Sequence, residues 1–108
     1  MSSEILIENK LRTIVAKSLQ IPEKNVLLQS KLMLDLGAES IDILDIKFAI
    51  EQEFGFKFDN EEIRTMLVKA AATYNLSEKD IPELFTVSRL YDYIAYKIEQ
   101  KDATSKEK

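Results

Sequence analysis

Apolar side chains recur at helical spacing in four stretches of the chain. The first stretch predicts a helix over residues 3–20. Its apolar stripe consists of Ile7, Leu11, Ile14, Val15 and Leu19. Pro22 then ends the pattern, because proline has no amide N–H to donate within a helix. Residues 21–39 keep apolar side chains without a period, so we expect a long ordered connection that lies over the core.

The second and third stretches predict two helices separated by a short turn. Residues 40–54 form the second helix, and Gly55 supplies the left-handed residue that commonly follows a helix. Its predicted core face consists of Leu44, Ile46, Ala49, Ile50 and Phe54. Asp59 and Glu62 have the spacing of an N-cap and its capping-box partner, so a third helix is expected over residues 60–73. Its apolar positions are Ile63, Met66, Leu67, Ala70 and Ala71.

The last stretch predicts the helix that closes the domain. Residues 74–85 look like a second connection, with a short helical turn that stops at Pro82. Thr86 is a favourable N-cap for the last helix, which is expected to end near Glu99. Its stripe consists of Val87, Leu90, Tyr91, Ile94, Ala95 and Ile98. Residues 100–108 have nothing to bury, so we expect one domain over residues 1–99 and a polar disordered tail.

Composition supports a small all-α protein and narrows its chemistry. A chain of 108 residues with only two glycines and two prolines suits a single helix bundle. It contains no cysteine and no histidine. Disulfides, thiolate metal sites and an imidazole base are therefore excluded, which argues against catalysis by the chain alone. With no signal-like or membrane-length apolar segment, we expect a soluble cytoplasmic monomer.

Charge is concentrated in one region. Residues 35–62 hold nine acidic and two basic side chains, a net charge of −7 in a chain whose total is −4. Nucleic acid and anionic membranes are poor partners for such a chain. The cluster fits either a docking surface for basic proteins or an ordinary solvated helix face, and charge alone favours neither.

The segment "DLGAES", residues 35–40, is the candidate site. Gly37 can adopt a backbone conformation closed to other residues and so permits a sharp turn. Ser40 follows at the exposed start of the second helix, where unpaired amide N–H groups favour a phosphate. The alternative is that Ser40 merely caps the helix, since serine is a favoured N-cap.

The surrounding run "LMLDLGAESIDILDIKFAIEQEFGFKF", residues 32–58, resembles the modification segment of acyl carrier proteins, in which a serine carries 4′-phosphopantetheine. The match is gapless from Asp35 to Gly55. "FTVSRLYDYI" and "IENKLRTIVAKSL" resemble the closing and opening helices of the family. The resemblance implies a bundle of the acyl carrier protein type with a long first loop and an enlarged third-helix region.

The resemblance also implies the chemistry. A separate phosphopantetheinyl transferase would attach the arm to Ser40 from coenzyme A, and the arm's thiol would hold acyl groups as thioesters. A carrier then needs neither cysteine nor histidine. Gly37 would shape the turn. Asp35 would either help to complete the transferase's metal site or cap the turn, with equal weight for both roles.

Partner docking is expected on the second helix. Ile41, Lys47 and Phe48 are predicted to point away from the core, while Leu44, Ile46 and Ile50 point inward. The predicted partner-binding residues are Glu39, Ile41, Asp42, Asp45, Phe48 and Glu51. The family implies ketosynthases and acyltransferases with basic patches as partners. Alternatively, Phe48 packs under the third helix, and Lys47 departs from the apolar or small residue expected there.

An acyl cavity is expected between the helices. Its predicted lining consists of Leu44, Ile46, Ile50, Met66, Leu67 and Ile94. The stretch between Glu62 and Thr86 is longer than the family usually has. It is either a tolerated surface extension or, as we favour, an extra apolar wall for the acyl chain.

Four functions are weighed against one another. The long motif favours a freestanding carrier for fatty-acid, lipid or polyketide synthesis. A structural module that keeps the carrier fold, or an aminoacyl carrier, is the alternative. An enzyme that uses Asp42 and Asp45 is disfavoured, because no apolar pocket is evident to raise the pKa of either carboxyl group.

Overall fold

The helical periodicities correspond to helices in a computed structural model of the protein, which describes residues 3–106 and, within them, the side chains of residues 6–77 and 79–100. The α-helices are α1 (Ser3–Leu19), α2 (Ser40–Phe54), α3 (Asn60–Thr73), α4 (Ile81–Leu84) and α5 (Val87–Lys106). Short 3₁₀ helices cover Glu23–Asn25 and Glu78–Asp80. The predicted all-α class is confirmed, since residues 3–106 contain no β-strand.

Local signals set the ends of α2 and α3 as predicted. Gly55 follows α2 with φ of 73°, and its N–H donates to the carbonyl oxygen of Glu51. Asp59 caps α3 by accepting hydrogen bonds from two amide N–H groups in its first turn. Each contact satisfies a backbone group that the helix itself leaves unpaired.

The connection between α1 and α2 is ordered and lies on the core. Val26 and Leu32 are fully buried, and Arg12 Nε donates to the carbonyl oxygen of Val26 at 2.8 Å. The connection is also tied to the segment that precedes α5, because Leu32 N–H donates to the carbonyl oxygen of Phe85 at 3.0 Å. These contacts explain why a long loop persists in so small a protein.

The core is a single cluster to which all four long helices contribute. Its most deeply buried side chains are Tyr93, Leu11, Leu32, Ile46, Ile50, Leu90, Ile94, Val15, Val26 and Val87. Tyr93 was not predicted to be buried. Its ring packs against Phe58 with 4.9 Å between centroids and meets Phe56 edge-on at 6.0 Å. The turn between α2 and α3 is therefore fastened to α5.

The predicted inward position of Leu44 is wrong. Leu44 is 65% exposed, whereas its neighbour Ile43 packs against the core. At about 100° per residue, Leu44 lies roughly 120° to 160° around the helix from Ile46 and Ile50. Ile43 lies on their side of α2 and takes the place assigned to Leu44.

Two local predictions near α3 and α4 are also corrected. Glu62 does not complete a capping box, because its carboxylate accepts hydrogen bonds from Tyr93 Oη and Lys97 Nζ, each at 2.9 Å. A charged partner makes a stronger hydrogen bond than a backbone amide does. Pro82 does not stop a helix but lies in the first turn of α4, where a missing N–H costs nothing.

Helix α5 continues to Lys106, beyond the predicted end near Glu99. Residues 100–106 contain no proline or glycine that would end a helix. Most of the segment predicted to be a disordered tail is therefore helical, and residues 107–108 lie outside the described part. The domain boundary at residue 99 remains a prediction.

Candidate functional site

The turn before α2 is built by short backbone contacts. Lys31 N–H donates to Asp35 Oδ2 at 2.8 Å, and Ala38 N–H donates to the carbonyl oxygen of Leu32 at 2.9 Å. Gly37 has φ of 73°, and a Cβ placed on it would meet no atom within 4 Å. Glycine is needed here for its backbone conformation rather than for space.

Asp35 has a visible structural role. Its carboxylate closes the turn by accepting the Lys31 N–H, which agrees with the capping alternative. Among the described side chains, those of residues 6–77 and 79–100, no group of three or more Asp or Glu is placed to hold a metal ion. A contribution of Asp35 to a metal held by a partner enzyme remains a prediction.

At the N-terminus of α2, residues other than Ser40 cap the helix. Glu39, not Ser40, is the N-cap residue, and Glu39 and Asp42 form a capping box. In it Glu39 N–H donates to Asp42 Oδ2 at 2.9 Å. Ser40 is the first helical residue and is exposed. Its hydroxyl has no hydrogen-bond partner among the described residues, so it is not used to cap the helix.

The residues at this helix end fit a phosphate ester. The amide N–H groups of Ser40 and Ile41 donate no hydrogen bond to any described residue. Unpaired N–H groups at a helix N-terminus, together with the helix dipole, attract a phosphate. A phosphate on the Ser40 hydroxyl would therefore lie beside two free donors.

Three large apolar side chains lie on the face of α2 opposite the core. Ile41, Leu44 and Phe48 are 65%, 65% and 62% exposed. We call them the apolar stripe. The exposure of Phe48 contradicts the alternative in which it packs under the third helix. Exposed apolar side chains that cluster in this way are typical of a site where another molecule binds.

The predicted acidic residues differ in how they are placed. Asp45 is exposed and has no hydrogen bond or ion pair with the described residues. Glu39 and Asp42 belong to the capping box. Glu51 is half-buried, and its carboxylate accepts the Phe58 N–H at 2.6 Å. Backbone N–H groups therefore donate to the carboxylates of Asp42 and Glu51, two of the four predicted acidic docking residues.

Lys47 lies between α2 and α3 rather than pointing away from the bundle as predicted. Its ammonium donates to Asn60 Oδ1 at 2.8 Å and lies 5.5 Å from the centroid of the Phe58 ring. Burial lowers the pKa of this ammonium. An amide and an aromatic face offset part of the cost of desolvating the charge.

The predicted cavity residues do not share one environment. Ile46, Ile50, Leu67 and Ile94 are at most 6% exposed and pack in the core. Met66 is half-buried and lines an open groove of about 570 Å³ between α3 and α5, with Glu61 and Tyr96 among its other walls. Leu44 lies outside the bundle, as described above.

A hydrogen-bond network beside the groove was missed in the sequence. Tyr93 Oη donates to Glu62 Oε1 at 2.9 Å and accepts the Asp59 N–H at 2.9 Å. Lys97 Nζ lies 2.9 Å from the same Glu62 oxygen. Burial is the main cause that raises the pKa of the Tyr93 hydroxyl above its usual value. The four-residue spacing of Tyr93 and Lys97 was the available signal.

The helix bundle, the sharp turn at Gly37 and the exposed serine at the start of α2 match the features expected of a carrier-type protein. A family model described as "Phosphopantetheine attachment site" matches residues 9–67, a range that includes Ser40. An acyl carrier protein of Thermotoga maritima is 36% identical over 63 residues, which cover 58% of this chain and 78% of that protein. One of Coprothermobacter proteolyticus is 31% identical over 58 residues, which cover 54% and 71%.

The chain therefore belongs to the acyl carrier protein family. Its function is to carry acyl groups on a covalently attached 4′-phosphopantetheine group. Such a carrier interacts with a phosphopantetheinyl transferase and with enzymes that process acyl groups. None of the helices within residues 3–106 is both long and apolar enough to cross a bilayer.

Proposed function

We propose that Ser40 is the residue to which the phosphopantetheine arm is attached. The observation that carries the proposal is the free hydroxyl of Ser40 at an exposed helix start. Glu39 and Asp42 satisfy the helix end, so the hydroxyl has no structural duty that modification would remove. The unpaired N–H groups of Ser40 and Ile41 favour the phosphate ester that results.

The chemistry at Ser40 is transfer of a phosphoryl-linked group from coenzyme A. The Ser40 oxygen loses its proton to the transferase and forms a bond to the phosphorus that bears pantetheine. The bond from that phosphorus to the adenosine phosphate part of coenzyme A breaks, and that part leaves. The chain supplies the nucleophile, while the base and the magnesium ion belong to the transferase. We propose that the chain itself catalyses no reaction.

We propose that enzymes which act on the arm dock against α2. Ile41 is adjacent to Ser40, and the apolar stripe continues along the exposed face. The other proposed contact residues are Glu39, Asp42, Asp45 and Glu51. Ketosynthases and acyltransferases of fatty-acid, lipid or polyketide synthesis are the partners proposed for this surface.

We propose that the bundle shelters the acyl chain near Ile46, Ile50 and Leu67. Each methylene removed from water contributes about 0.8 kcal/mol. Because these side chains are already packed together, the acyl chain must separate them to enter the bundle. The groove beside Met66 offers a second apolar surface on the enlarged α3 region.

Intact-mass measurement after incubation with a promiscuous phosphopantetheinyl transferase and coenzyme A tests the attachment. The wild-type chain is expected to gain one phosphopantetheinyl group, and Ser40→Ala is expected to gain none. Ser77→Ala is the matched control, because Ser77 is another exposed serine. No gain in the wild type, or a gain that survives Ser40→Ala, would contradict the proposal and favour a structural module.

The effect of Ser40→Ala on the free energy of unfolding tests whether Ser40 caps α2. Ser40→Ala is expected to change the free energy of unfolding by less than about 0.5 kcal/mol, as at ordinary surface positions. If the serine were the N-cap, its replacement would cost about 0.5–2 kcal/mol. Urea denaturation of the unmodified protein measures the difference.

A further inference from the structure

Lys47 lies on the side of α2 that leads from the proposed attachment residue into the bundle. Ser40 and Lys47 are two helical turns apart, so they lie within about 20° of each other around α2 and about 10 Å apart along it. Lys47 is half-buried, and its neighbours Ile46 and Ile50 are at most 1% exposed. An acyl chain that leaves an arm on Ser40 and enters between α2 and α3 therefore passes the Lys47 ammonium before it reaches the core.

The Lys47 ammonium has only neutral partners among the described residues. It donates to Asn60 Oδ1 at 2.8 Å and lies 5.5 Å from the centroid of the Phe58 ring, but no carboxylate forms an ion pair with it. Burial lowers the pKa of this ammonium, as expected for a cation that lacks an anionic partner. Three other lysines each pair with a glutamate at 2.8 or 2.9 Å, namely Lys10, Lys31 and Lys97.

The acidic residues at the two ends of the α2–α3 turn are directed elsewhere. Glu51 lies one turn beyond Lys47 on α2, but its carboxylate accepts the Phe58 N–H at 2.6 Å. Asp59 accepts two amide N–H groups in the first turn of α3. Both carboxylates keep their charge, yet neither contacts the ammonium. A carboxylate makes a stronger hydrogen bond to an ammonium than the neutral Asn60 amide does, so the site favours an anionic acceptor from outside the chain.

We propose that Lys47 selects the cargo, favouring acyl groups that carry a carboxylate over plain alkyl chains of the same length. The inference rests on the proposed attachment at Ser40, because the arm brings the cargo to Lys47. A cargo carboxylate would replace Asn60 as the acceptor and form an ion pair, whereas an alkyl chain would desolvate the ammonium further without offering an acceptor. The acidic surface of residues 35–62 repels a free anion, but the arm holds the cargo at a high effective concentration.

Two cargoes of equal length separate the effect of charge from that of size. A promiscuous phosphopantetheinyl transferase moves the whole acylated arm from succinyl or butyryl coenzyme A to the chain, and intact mass verifies each loaded form. In the wild type the succinyl form is expected to melt about 3 °C or more above the butyryl form. Lys47→Met is expected to reduce this difference to less than about 1 °C. Lys47→Arg keeps the charge and is expected to retain most of it.

Lys57→Met is the matched control, because Lys57 is an exposed lysine in the turn between α2 and α3 and its loss changes the net charge equally. This variant is expected to keep the wild-type difference. An NMR titration of the Lys47 side chain adds a readout that a merely structural lysine would not move. The pKa of Lys47 is expected to rise in the succinyl form, because a nearby carboxylate favours the charged ammonium, and not to rise in the butyryl or unacylated form.

Two results would overturn the inference. One is a Lys47→Met chain whose succinyl and butyryl forms differ in melting temperature as much as those of the wild type, which would leave Lys47 as a tie between α2 and α3. The other is a pKa of Lys47 that rises as much in the unacylated form as in the succinyl form, which would assign the ammonium to the arm. A chain that gains no arm in the mass measurement refutes the attachment at Ser40 itself, and this failure is recognised before any melting temperatures are compared.

Discussion

Replacing Tyr93 by phenylalanine would test whether the turn between α2 and α3 depends on its fastening to α5. The tyrosine is 2% exposed. Its hydroxyl donates to Glu62 Oε1 and accepts the Asp59 N–H, both at 2.9 Å. Phenylalanine keeps the ring and its contact with Phe58. The substitution therefore removes one oxygen and leaves the apolar packing in place.

The expected cost follows from the partners that the hydroxyl leaves behind. Glu62 keeps its ion pair with Lys97, but the Asp59 N–H loses its acceptor. An unsatisfied buried donor costs about 1–3 kcal/mol. Because the hydrogen bond is only partly buried, water can replace the lost acceptor in part. We expect Tyr93→Phe to lower the free energy of unfolding by about 1–2 kcal/mol, and Tyr93→Ala by about 3–5 kcal/mol.

Urea denaturation measures both changes. The midpoint should fall while the m-value stays constant, since the surface exposed on unfolding hardly changes. Tyr96→Phe is the matched control: Tyr96 is 47% exposed, and its hydroxyl accepts a hydrogen bond from Gln100. That control should stay within about 0.5 kcal/mol of wild type. If Tyr93→Phe behaves like Tyr96→Phe, the network contributes nothing and the reasoning is wrong.

Three further outcomes are expected. Asp42→Ala should lower the free energy of unfolding by about 0.5–2 kcal/mol in urea denaturation, because it breaks the capping box that Ser40→Ala leaves intact. If Ser40→Ala lowers it by the same amount, Ser40 takes part in capping and the expectation is wrong. Gly37→Ala should cost about 1 kcal/mol in thermal melts, from its φ of 73° alone, and a much larger loss would reveal a clash. The pKa of Tyr93 is raised in the folded protein. Its contribution to the free energy of unfolding should therefore be complete below about pH 10 and should fall as the pH rises further. If Tyr93→Phe loses as much stability above about pH 10 as the wild type does, this expectation is contradicted.

The limits of the helices could be predicted because their signals are local. Gly55 and the N-cap Asp59 mark boundaries that depend on neighbouring backbone groups alone. The bounds of α2 and α3 accordingly agree with the periodicity. The prediction failed in two places. Pro82 was read as a stop signal, but proline is equally suited to the first turn of a helix, and it lies there in α4. Helix α5 was predicted to end near Glu99, although residues 100–106 carry no signal that ends a helix.

Side-chain placement was harder to predict, because it depends on which neighbours a face meets. Ile43 and Leu44 are adjacent and both apolar, so periodicity alone could not choose between them, and the core selected Ile43. The burial of Tyr93 and the inward turn of Lys47 depend on Phe58, which follows α2 by four residues. Hydrophobic periodicity within one helix cannot reveal such contacts between elements.

Ser40 was correctly predicted to lie at the exposed start of α2. That another residue caps the helix, so that the Ser40 hydroxyl is free, was not predicted. Glutamate is a less favoured N-cap than serine, so the sequence pointed to Ser40 for that duty. The reciprocal pair is nevertheless present in the sequence, since Glu39 and Asp42 have the three-residue spacing of a capping box. The pair was overlooked because Glu39, an acidic residue, occupies the N-cap position where a capping box usually has Ser or Thr.

The choice of Glu39 as the cap has a consequence for a carrier that must exist both with and without its arm. If the Ser40 hydroxyl capped α2, esterification would replace the capping oxygen by a phosphate ester, and the two forms would differ in the contacts of the helix end. With capping assigned to Glu39 and Asp42, a modification at Ser40 leaves the contacts of the helix end in place. The same assignment holds the Asp42 carboxylate against the Glu39 N–H beside the apolar stripe. One local arrangement therefore frees the serine for chemistry without taking a capping contact from α2.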